Sequence, residues 1–344
     1  MYEELPDEKR HFLRFHAYAR QHPDQKIMHA LMLISRQQGI GKSLVGEIIG
    51  HGLWGEWNFS EVEHGHLDAS FNSFLKYKKF ILANEMLLSS STAVDKRRDA
   101  NLIKNAITRD RVEINEKYIR QFFVRDVLCW MLTSNFDDAV WLDREDDRRI
   151  HITRLKQTIP LSKALGEAFA ADAKKWAQSK EGASAINYYF LNYPCDGFSA
   201  KAPPPTTEGQ RIVYEMGLSI LERFVRDLIE NPQRLVEILG DEKLRGADLV
   251  RLDDIRKAFL AKYEDIQTVS DQAISSAISR FGGCYIPNKI QWTEDQKQCE
   301  ARTWALRNAE YWQAASPKER AAHYLNPVNN PKPEPDDGDE EVIA

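Results

Sequence analysis

The chain has 344 residues, of which 42% are hydrophobic and 29% are charged. This length allows about two domains of roughly 150 residues each, and the composition is that of an ordinary globular protein. The formal net charge is only −5, so the charge of the whole chain does not indicate nucleic-acid binding, and local charge is more informative. Its apolar runs fall short of the roughly 18 residues that a spanning helix needs, so we expect no membrane association.

The N-terminal stretch and the cysteines point to a reducing compartment. The stretch MYEELPDEKRHF is acidic and lacks the apolar region of a signal peptide. The four cysteines are scattered, and no two of them form a C-x-x-C pair. Neither a zinc site nor a disulfide framework is therefore predicted, and the expected location is the cytoplasm.

Residues 1–25 are predicted to form a helical lead-in, because Phe12, Phe15 and Tyr18 recur near helical spacing. Residues 26–194 are then interpreted as an α/β domain with a helical extension. The domain opens with the apolar run IMHALMLIS, which is typical of a buried central strand, and continues through a glycine loop into a helix.

Further short strands are predicted in this α/β domain from buried apolar runs and alternating patterns. They lie at 78–85, 126–135 and 148–155, with a hairpin in 111–119 that turns at Asn115 and Glu116. Two of the buried strands end in polar residues. Open α/β sheets bind their ligands at such strand ends, so we expect a site there.

The C-terminal half is predicted to be a linker, a second domain and a tail. Residues 195–210 are rich in proline and small polar residues, which indicates the linker. In residues 211–325 helical segments are followed by two short strands, the order of a winged-helix domain. Residues 326–344 are rich in proline and acids, which predicts a disordered tail.

The glycine loop SRQQGIGKS matches most of the phosphate-binding pattern G-x-x-x-x-G-K-[ST]. Arg36 stands where the first glycine of that pattern would be. Lys42 is expected to reach the β- and γ-phosphates and Ser43 to ligate Mg²⁺. The alternative is a purely structural turn between strand and helix. The predicted nucleotide-binding residues are Gly39, Ile40, Gly41, Lys42, Ser43 and Leu44.

The stretch FILANE places Asn84 and Glu85 at the end of a strand. Glu85 is the candidate general base, since nucleotide hydrolysis needs a group that places the attacking water. Asn84 occupies a position where an acid often holds the magnesium shell, but an amide brings no charge. Ser43, Glu85 and Asn84 are the predicted metal residues. A helix cap or turn is the alternative interpretation of the Asn84–Glu85 pair.

Two further motifs contribute candidate catalytic residues. Asn135 ends the strand in LTSN and could orient the water or contact the γ-phosphate, although serine and asparagine are also common in turns. Arg148 and Arg149 in DREDDRRI could act on the nucleotide of a neighbouring subunit. Acid–base runs of this kind are otherwise solvated surface.

Residues 96–125 form a basic segment, with a local net charge of +5 from nine bases and four acids. Phosphate backbones attract such clusters without regard to sequence, and a solvated basic surface is the alternative. The bases are Lys96, Arg97, Arg98, Lys104, Arg109, Arg111, Lys117, Arg120 and Arg125, and the acids are Asp99, Asp110, Glu113 and Glu116.

The motifs QGIGKS, FILANE, a basic hairpin, WMLTSN and DDRR follow one another within about 110 residues. This order resembles the superfamily 3 helicases, which have an AAA+-like P-loop NTPase core, and in particular the primase-helicases of phages, plasmids and mobile elements. The resemblance implies that ATP and Mg²⁺ are the cofactors. It matches Lys42 and Ser43 to Walker A, Glu85 to the Walker B acid, Lys117 (with Arg111 or Arg120) to the DNA-contacting hairpin, Asn135 to the sensor, and Arg148 or Arg149 to the trans-acting finger.

The function that the resemblance implies is an ATP-dependent DNA helicase for replication of a phage or mobile element. It would work as a ring, expected to be a hexamer, that translocates on single-stranded DNA in a bacterial or phage-infected cell. Such proteins often carry an N-terminal primase domain, and nothing before residue 26 could be one, so the resemblance implies either a longer parent protein or a separate primase or replication protein as a partner. The alternatives are a non-unwinding AAA+-like loader or remodeller, or a DNA-binding scaffold whose site has decayed, as Arg36 and Asn84 would suggest.

Overall fold

The computed structural model describes residues 7–63, 66, 71–85, 93–231, 233–294 and 297–329. The chain divides into two compact units, Met1–Gly217 and Leu218–Ala344. The first unit includes residues 195–210, and most of the tail expected at 326–344 lies outside the described residues. Among the helices that the structure describes, none is long and apolar enough to cross a membrane.

A five-stranded parallel sheet forms the centre of the first unit, which confirms the predicted α/β fold. The strands stand side by side in the order β2-β3-β6-β1-β7, with all four pairings parallel. In such a sheet the carboxyl ends of all strands meet at one edge. The strands are β1 (Ala30–Ile34), β2 (Phe59–Glu63), β3 (Phe80–Asn84), β6 (Cys129–Ser134) and β7 (Ile150–Arg154).

Helices surround this sheet and bury its apolar residues. All five residues of β1 are buried, as expected for a central strand covered on both faces. The helices of the first unit are α1 (Asp7–Gln21), α2 (Lys42–Ile49), α3 (Gly55–Asn58), α4 (Ala93–Thr108), α5 (Leu161–Leu165), α6 (Phe169–Gln178), α7 (Lys180–Asn192) and α8 (Glu208–Gly217), with a π-helical turn at Gly50–Trp54 and a 3₁₀ turn at Ser73–Leu75.

Residues 195–210 belong to the first unit and form hydrogen bonds with its other segments. The Met28 amide donates a hydrogen bond of 2.8 Å to the carbonyl of Ala200, which is itself buried in the core. Further along, the hydroxyl of Thr207 donates to the carbonyl of Ile152 in β7. The second contact lies on β7, the edge strand of the sheet. The segment then continues directly into α8.

A two-stranded hairpin, β4 (Arg111–Ile114) and β5 (Phe122–Arg125), is inserted between β3 and β6. The predicted turn at Asn115 and Glu116 is wrong in length, because the second strand begins only at Phe122. Both residues instead form contacts with residues on either side of the 3₁₀ turn Ser73–Leu75. The Asn115 amide donates to Asn72 at 2.8 Å, and Glu116 pairs with Lys76 at 2.8 Å. The connection between the strands is therefore a loop of residues 115–121.

The second unit contains helices and short strands with their own core. Its first helix begins after Ser219, which forms a capping box with Glu222. The helices are α9 (Ile220–Glu230), α10 (Arg234–Leu239), α11 (Leu252–Lys262), α12 (Asp271–Arg280), α13 (Ala309–Ala314) and α14 (Pro317–Leu325), with a 3₁₀ turn at Glu242–Leu244. The strands are β8 (Leu249–Val250), β9 (Cys284–Tyr285), β10 (Ile290–Glu294), β11 (Lys297–Ala301) and β12 (Trp304–Ala305).

The buried side chain of His16 makes the first unit sensitive to acid. Its ring packs edge-on against the rings of Phe12, Phe15 and Phe80. Neither ring nitrogen has a hydrogen-bond partner among the described residues. Burial lowers the pKa of His16 to about 3. The folded chain therefore keeps this imidazole neutral at a pH where the unfolded chain protonates it.

We expect His16→Leu to lose less stability on acidification than the wild type. Below the ordinary histidine pKa of roughly 6.5 the unfolded state gains a proton that the folded state does not. This difference lowers the free energy of unfolding of the wild type by about 2 kcal/mol at pH 5. Urea unfolding at pH 7 and pH 5 measures the difference. The control is His22→Leu at an exposed position. An equal loss of stability in wild type and His16→Leu would contradict the assignment.

Candidate functional site

The loop between β1 and α2 has the backbone of a phosphate cradle. Gly39 and Gly41 have φ angles of 72° and 95°, which side-chain-bearing residues rarely adopt. A Cβ atom on Gly41 would also lie only 2.6 Å from Leu161. The backbone φ angle of Arg36 is not positive. The loop therefore does not need glycine at that position.

Lys42 is the first residue of α2, and its side chain folds back against the loop that precedes the helix. Its Nζ donates to the carbonyl of Ser35 at 3.2 Å and to that of Gln37 at 3.1 Å. Burial lowers the pKa of this ammonium. The helix N-terminus adds partial positive charge at the same place. A lysine held in this way at a helix N-terminus is suited to bind an anion.

A cavity of about 490 Å³ opens beside this loop at the carboxyl edge of the sheet. It brings together all six predicted nucleotide-binding residues, Gly39–Leu44, with the predicted catalytic residues Glu85 and Asn135. Of the other lining residues, Gln38, Thr133 and Ser134 lie within the motifs QGIGKS and WMLTSN but had no predicted role. No motif pointed to the remaining ones, which are Leu161, Ser162, Gly166, Glu167 and Ala170.

Glu85 follows β3 in a strained backbone conformation. Its φ is 51°, a left-handed value that costs a residue other than glycine on the order of 1–3 kcal/mol and is concentrated at functional sites. Its amide donates to the hydroxyl of Thr133 at 3.4 Å, and its side chain is exposed to the cavity. The turn therefore presents the carboxylate to whatever occupies the cavity.

Asn84 is turned toward the neighbouring strands. Its Oδ1 accepts a hydrogen bond of 3.0 Å from Thr133, and its Nδ2 donates to the carboxylate of Glu61. It is not among the residues that line the cavity. Both ends of the amide, which was predicted to serve the metal, thus have partners within the chain.

The oxygen atoms beside the loop fit a magnesium ion. Ser43 and Glu85 offer a hydroxyl and a carboxylate, and Mg²⁺ prefers oxygen ligands. Among the described residues no group of three or more histidine, cysteine, aspartate or glutamate side chains could hold a metal by itself. Mg²⁺ usually keeps several waters and takes further oxygens from substrate phosphates, so one or two protein ligands are enough for it.

Asp137 ties the loop to the two strands beside it. Its carboxylate is almost fully buried and accepts from Arg36 Nε at 2.6 Å and from Arg154 Nε at 3.2 Å. Arg36 belongs to the phosphate loop, Asp137 follows the Asn135 turn, and Arg154 ends β7. The residue that replaces the first glycine therefore has a structural role, as an anchor between the loop and the Asn135 turn.

Arg148 and Arg149 lie at the opposite edge of the sheet. Ala30 is level with Ile150 in the parallel register, and the Ala30 amide donates to the carbonyl of Arg149. Both arginines thus precede the first paired residues, whereas the phosphate loop follows the last ones. Neither of them lines the cavity of its own chain, so contact with a nucleotide would have to involve a neighbouring copy.

A second cavity of about 500 Å³ shares Ile40 and Gly41 with the first. Its surface is mostly apolar and includes Phe12, Val45 and Leu155, with polar side chains at its margin. Apolar walls with a few polar groups are typical of sites for flat organic ligands. Because both cavities include Ile40 and Gly41, this apolar surface adjoins the phosphate loop.

The hairpin loop carries an exposed cation and an exposed aromatic ring. Lys117 Nζ lies 4.9 Å from the ring centroid of Tyr118, and this tyrosine is 92% exposed. On the strands, Arg111 stands directly opposite Arg125. Like charges in such a pair are unfavourable. Arg120 is also exposed, so this surface is well suited to an anionic ligand.

Not every base of the segment 96–125 is available for such a ligand. Lys104 is buried and pairs with Asp143 and Asp147, and Arg109 pairs with the buried Asp126. These pairs belong to the fold of the first unit. The side chains of Lys96 and Arg97 lie outside the described part of the chain.

Comparisons with known proteins agree with this architecture. Residues 33–149 match a family described as a family of unknown function, DUF5906. No curated protein matches. A structure of the C-terminal region of NrS-1 matches with a TM-score of 0.64 and 16% identity, covering 86% of this chain and 70% of that one. Another structure of that region gives 0.62 and 15%, covering 88% and 72%. The resemblance that the motifs indicate is thereby confirmed at the level of the fold, a P-loop ATPase-like core.

We expect Asp137→Asn to destabilise the first unit by about 1–3 kcal/mol, because it leaves two arginines without their shared carboxylate. It should also weaken nucleotide binding, since the loop loses its anchor. Urea unfolding and titration with a fluorescent ADP analogue measure the two effects. The control is Asp146→Asn, which removes an exposed ion pair with Arg144 and should cost less than about 1 kcal/mol. Equal effects of the two substitutions would contradict the anchoring role.

Proposed function

We propose that this chain is an ATP-driven DNA helicase motor for the replication of a phage or mobile element. The observation that carries the proposal is the single cavity that joins the loop Gly39–Leu44 with Glu85 and Asn135. These groups come from three separate strands of the sheet. Their meeting beside a buried lysine is what nucleotide hydrolysis requires.

Each group has a definite task in the proposed reaction. Lys42 and the loop amides bind the phosphates, and Ser43 with Glu85 would hold Mg²⁺, which neutralises phosphate charge. Glu85 accepts a proton from the attacking water, and Asn135 orients that water from the neighbouring strand. Arg148 or Arg149 acts on the nucleotide of the next subunit, because both lie at the far edge of their own sheet. The motor is therefore a ring, and we propose a hexamer.

The hairpin is placed to convert hydrolysis into movement along DNA. It lies in the chain between β3, which ends next to Glu85, and β6, which ends next to Asn135. Asn72, which precedes β3, donates to the carbonyl of Glu113 at 2.8 Å and accepts from the amide of Asn115. These contacts hold the hairpin against the segment that precedes β3, the strand that ends next to Glu85, and we propose that hydrolysis moves Lys117 through this connection. Lys117 and Tyr118 then contact single-stranded DNA, with Arg111 and Arg120 beside them.

For the second unit we propose a winged-helix module that docks a protein. Helix α12 occupies the place of a recognition helix, and β10 with β11 forms the wing. Arg280 is the one base in α12, and it pairs with Glu222 at 2.6 Å with both side chains largely buried. It is thus not available for a DNA phosphate. A separate primase or replication protein is the proposed partner.

Two other functions make different demands on the same residues. A loader or remodeller of the AAA+ type would hydrolyse ATP but would not need the hairpin cations. A scaffold with a decayed site would need neither. The strained turn at Glu85 and the buried Lys42 favour a working site over a decayed one, because strain without a function is rarely retained.

A strand-displacement assay on forked DNA tests the proposal. We expect ATP-dependent unwinding by the wild type and none by Glu85→Gln, which keeps the shape of the side chain but cannot accept a proton. Binding of ADP should survive in Glu85→Gln and be lost in Lys42→Ala. ATP hydrolysis without unwinding would favour the loader, and no nucleotide binding would favour the scaffold.

We expect Lys117→Ala to weaken binding of single-stranded DNA and to reduce its dependence on salt. Each lost phosphate contact lowers the slope of log K against log salt by about 0.7. Tyr118→Ala should cost about 1–3 kcal/mol if the ring stacks on a base, whereas Tyr118→Phe should bind normally.

Fluorescence anisotropy with labelled oligonucleotides at several salt concentrations measures these effects. The control is Lys201→Ala, which removes an exposed lysine far along the chain from the hairpin. An unchanged salt slope in Lys117→Ala would contradict the assignment of the hairpin.

A further inference from the structure

We propose that Glu61 supplies, from the neighbouring strand, the negative charge that Asn84 lacks. Asn84 is then a positioning residue that connects Glu61 to Thr133 and to the turn at Glu85. The inference rests on the proposed function, since it concerns the metal side of the same nucleotide site. Neither the motifs nor the family comparison assigns a role to Glu61. The inference gives this residue a part in that site.

Glu61 and Asn84 lie on the face of the sheet that α2 covers. In the parallel register Glu61 is level with Leu82, two residues before Asn84, and residues two apart share a face. A Cβ atom on Gly46 of α2 would lie 2.4 Å from Leu82, so α2 rests directly on this face. The same helix begins with Lys42 and Ser43. The carboxylate of Glu61 therefore lies on the face of the sheet that α2 covers, the helix that carries Ser43, the proposed Mg²⁺ ligand.

A chain of hydrogen bonds runs from Glu61 to the candidate general base. The amide of Glu85 donates to Thr133 Oγ1, the Thr133 hydroxyl donates to Asn84 Oδ1, and Asn84 Nδ2 donates to Glu61. The directions are fixed, because the Glu85 amide can only donate and an ionised carboxylate can only accept. Asparagine satisfies both neighbours at once. An aspartate at position 84 could accept from Thr133 but could not donate to Glu61.

This arrangement explains the departure at position 84 as an exchange between strands. With an acid already at Glu61, a second acid at position 84 would place two carboxylates in contact, and like charges on neighbouring strands repel. With asparagine there, one negative charge remains, and the amide holds it in place. The site keeps its charge, although the local motif has lost it.

The first test uses the protein without nucleotide. We expect Asn84→Asp to lower the melting temperature by roughly 2–4 °C through repulsion from Glu61. The double variant Glu61→Gln with Asn84→Asp should recover most of this shift, since the glutamine amide can donate to the introduced carboxylate. The control Glu63→Gln with Asn84→Asp removes a carboxylate that is level with Asn84 on the strand that carries Glu61, and it should recover less, because the side chain at position 84 lies against Glu61.

The second test follows the binding of a fluorescent ADP analogue as Mg²⁺ is varied. We expect Glu61→Gln to raise the Mg²⁺ concentration for half-maximal binding by at least roughly tenfold, as loss of an outer metal partner does. The double variant should regain most of this loss, because the aspartate introduced at position 84 returns the charge. Glu63→Gln should behave as the wild type does, and Lys42→Ala should not bind.

The outcomes separate this inference from the proposed function. The inference would be overturned if Asn84→Asp were as stable as the wild type and bound Mg²⁺ and ADP more tightly. Glu61 would then neither repel the introduced carboxylate nor supply the charge of the site. Recovery by Glu63→Gln equal to that by Glu61→Gln would also overturn it. A wild type that binds no ADP would overturn the proposed function and the metal role, whereas the melting temperatures would still decide whether Glu61 and Asn84 form the pair.

Discussion

The parallel pairing of β1 with β6 is the constraint on which the rest of the structure depends. It sets Leu33 beside Thr133 and Ile34 beside Ser134, so the phosphate loop and the Asn135 turn leave the sheet at the same edge. Pairing of β3 with β6 then brings in the turn at Glu85. Because side chains alternate along a strand, a shift of one residue would turn these groups to the wrong face. Every residue of β1 and β6 is buried, as expected for parallel strands that are covered on both faces.

Two departures from the expected motifs have the same physical explanation. Arg36 replaces a glycine, and Asn84 replaces an acid. Each is bound by a carboxylate from another element, Asp137 after β6 and Glu61 in β2. Contacts across the sheet hold the loop in its geometry and, under the proposed role of Glu61, would keep a negative charge beside the nucleotide site. Motifs within a short stretch can thus lose a residue whose task a neighbouring strand performs.

Much of the site could be predicted from sequence, because its residues directly follow apolar runs. Gly41–Ser43, Glu85 and Asn135 were recognisable by such positions. Glu61 and Asp137 were not, because their roles depend on strand order and register, which no local pattern encodes. The hairpin turn was placed too early for a similar reason. Contacts with Asn72 and Lys76, distant in sequence, hold the chain open beyond Glu116.

Steady-state ATP hydrolysis with and without single-stranded DNA, for the wild type and Lys42→Ala, tests the proposed motor most directly. We predict turnover in the wild type that DNA stimulates and that the substitution abolishes. Such a result would show that the phosphate loop supports hydrolysis and that this hydrolysis is coupled to single-stranded DNA. The absence of turnover in a folded and assembled wild type, with or without DNA, would contradict a working nucleotide site and the motor built on it.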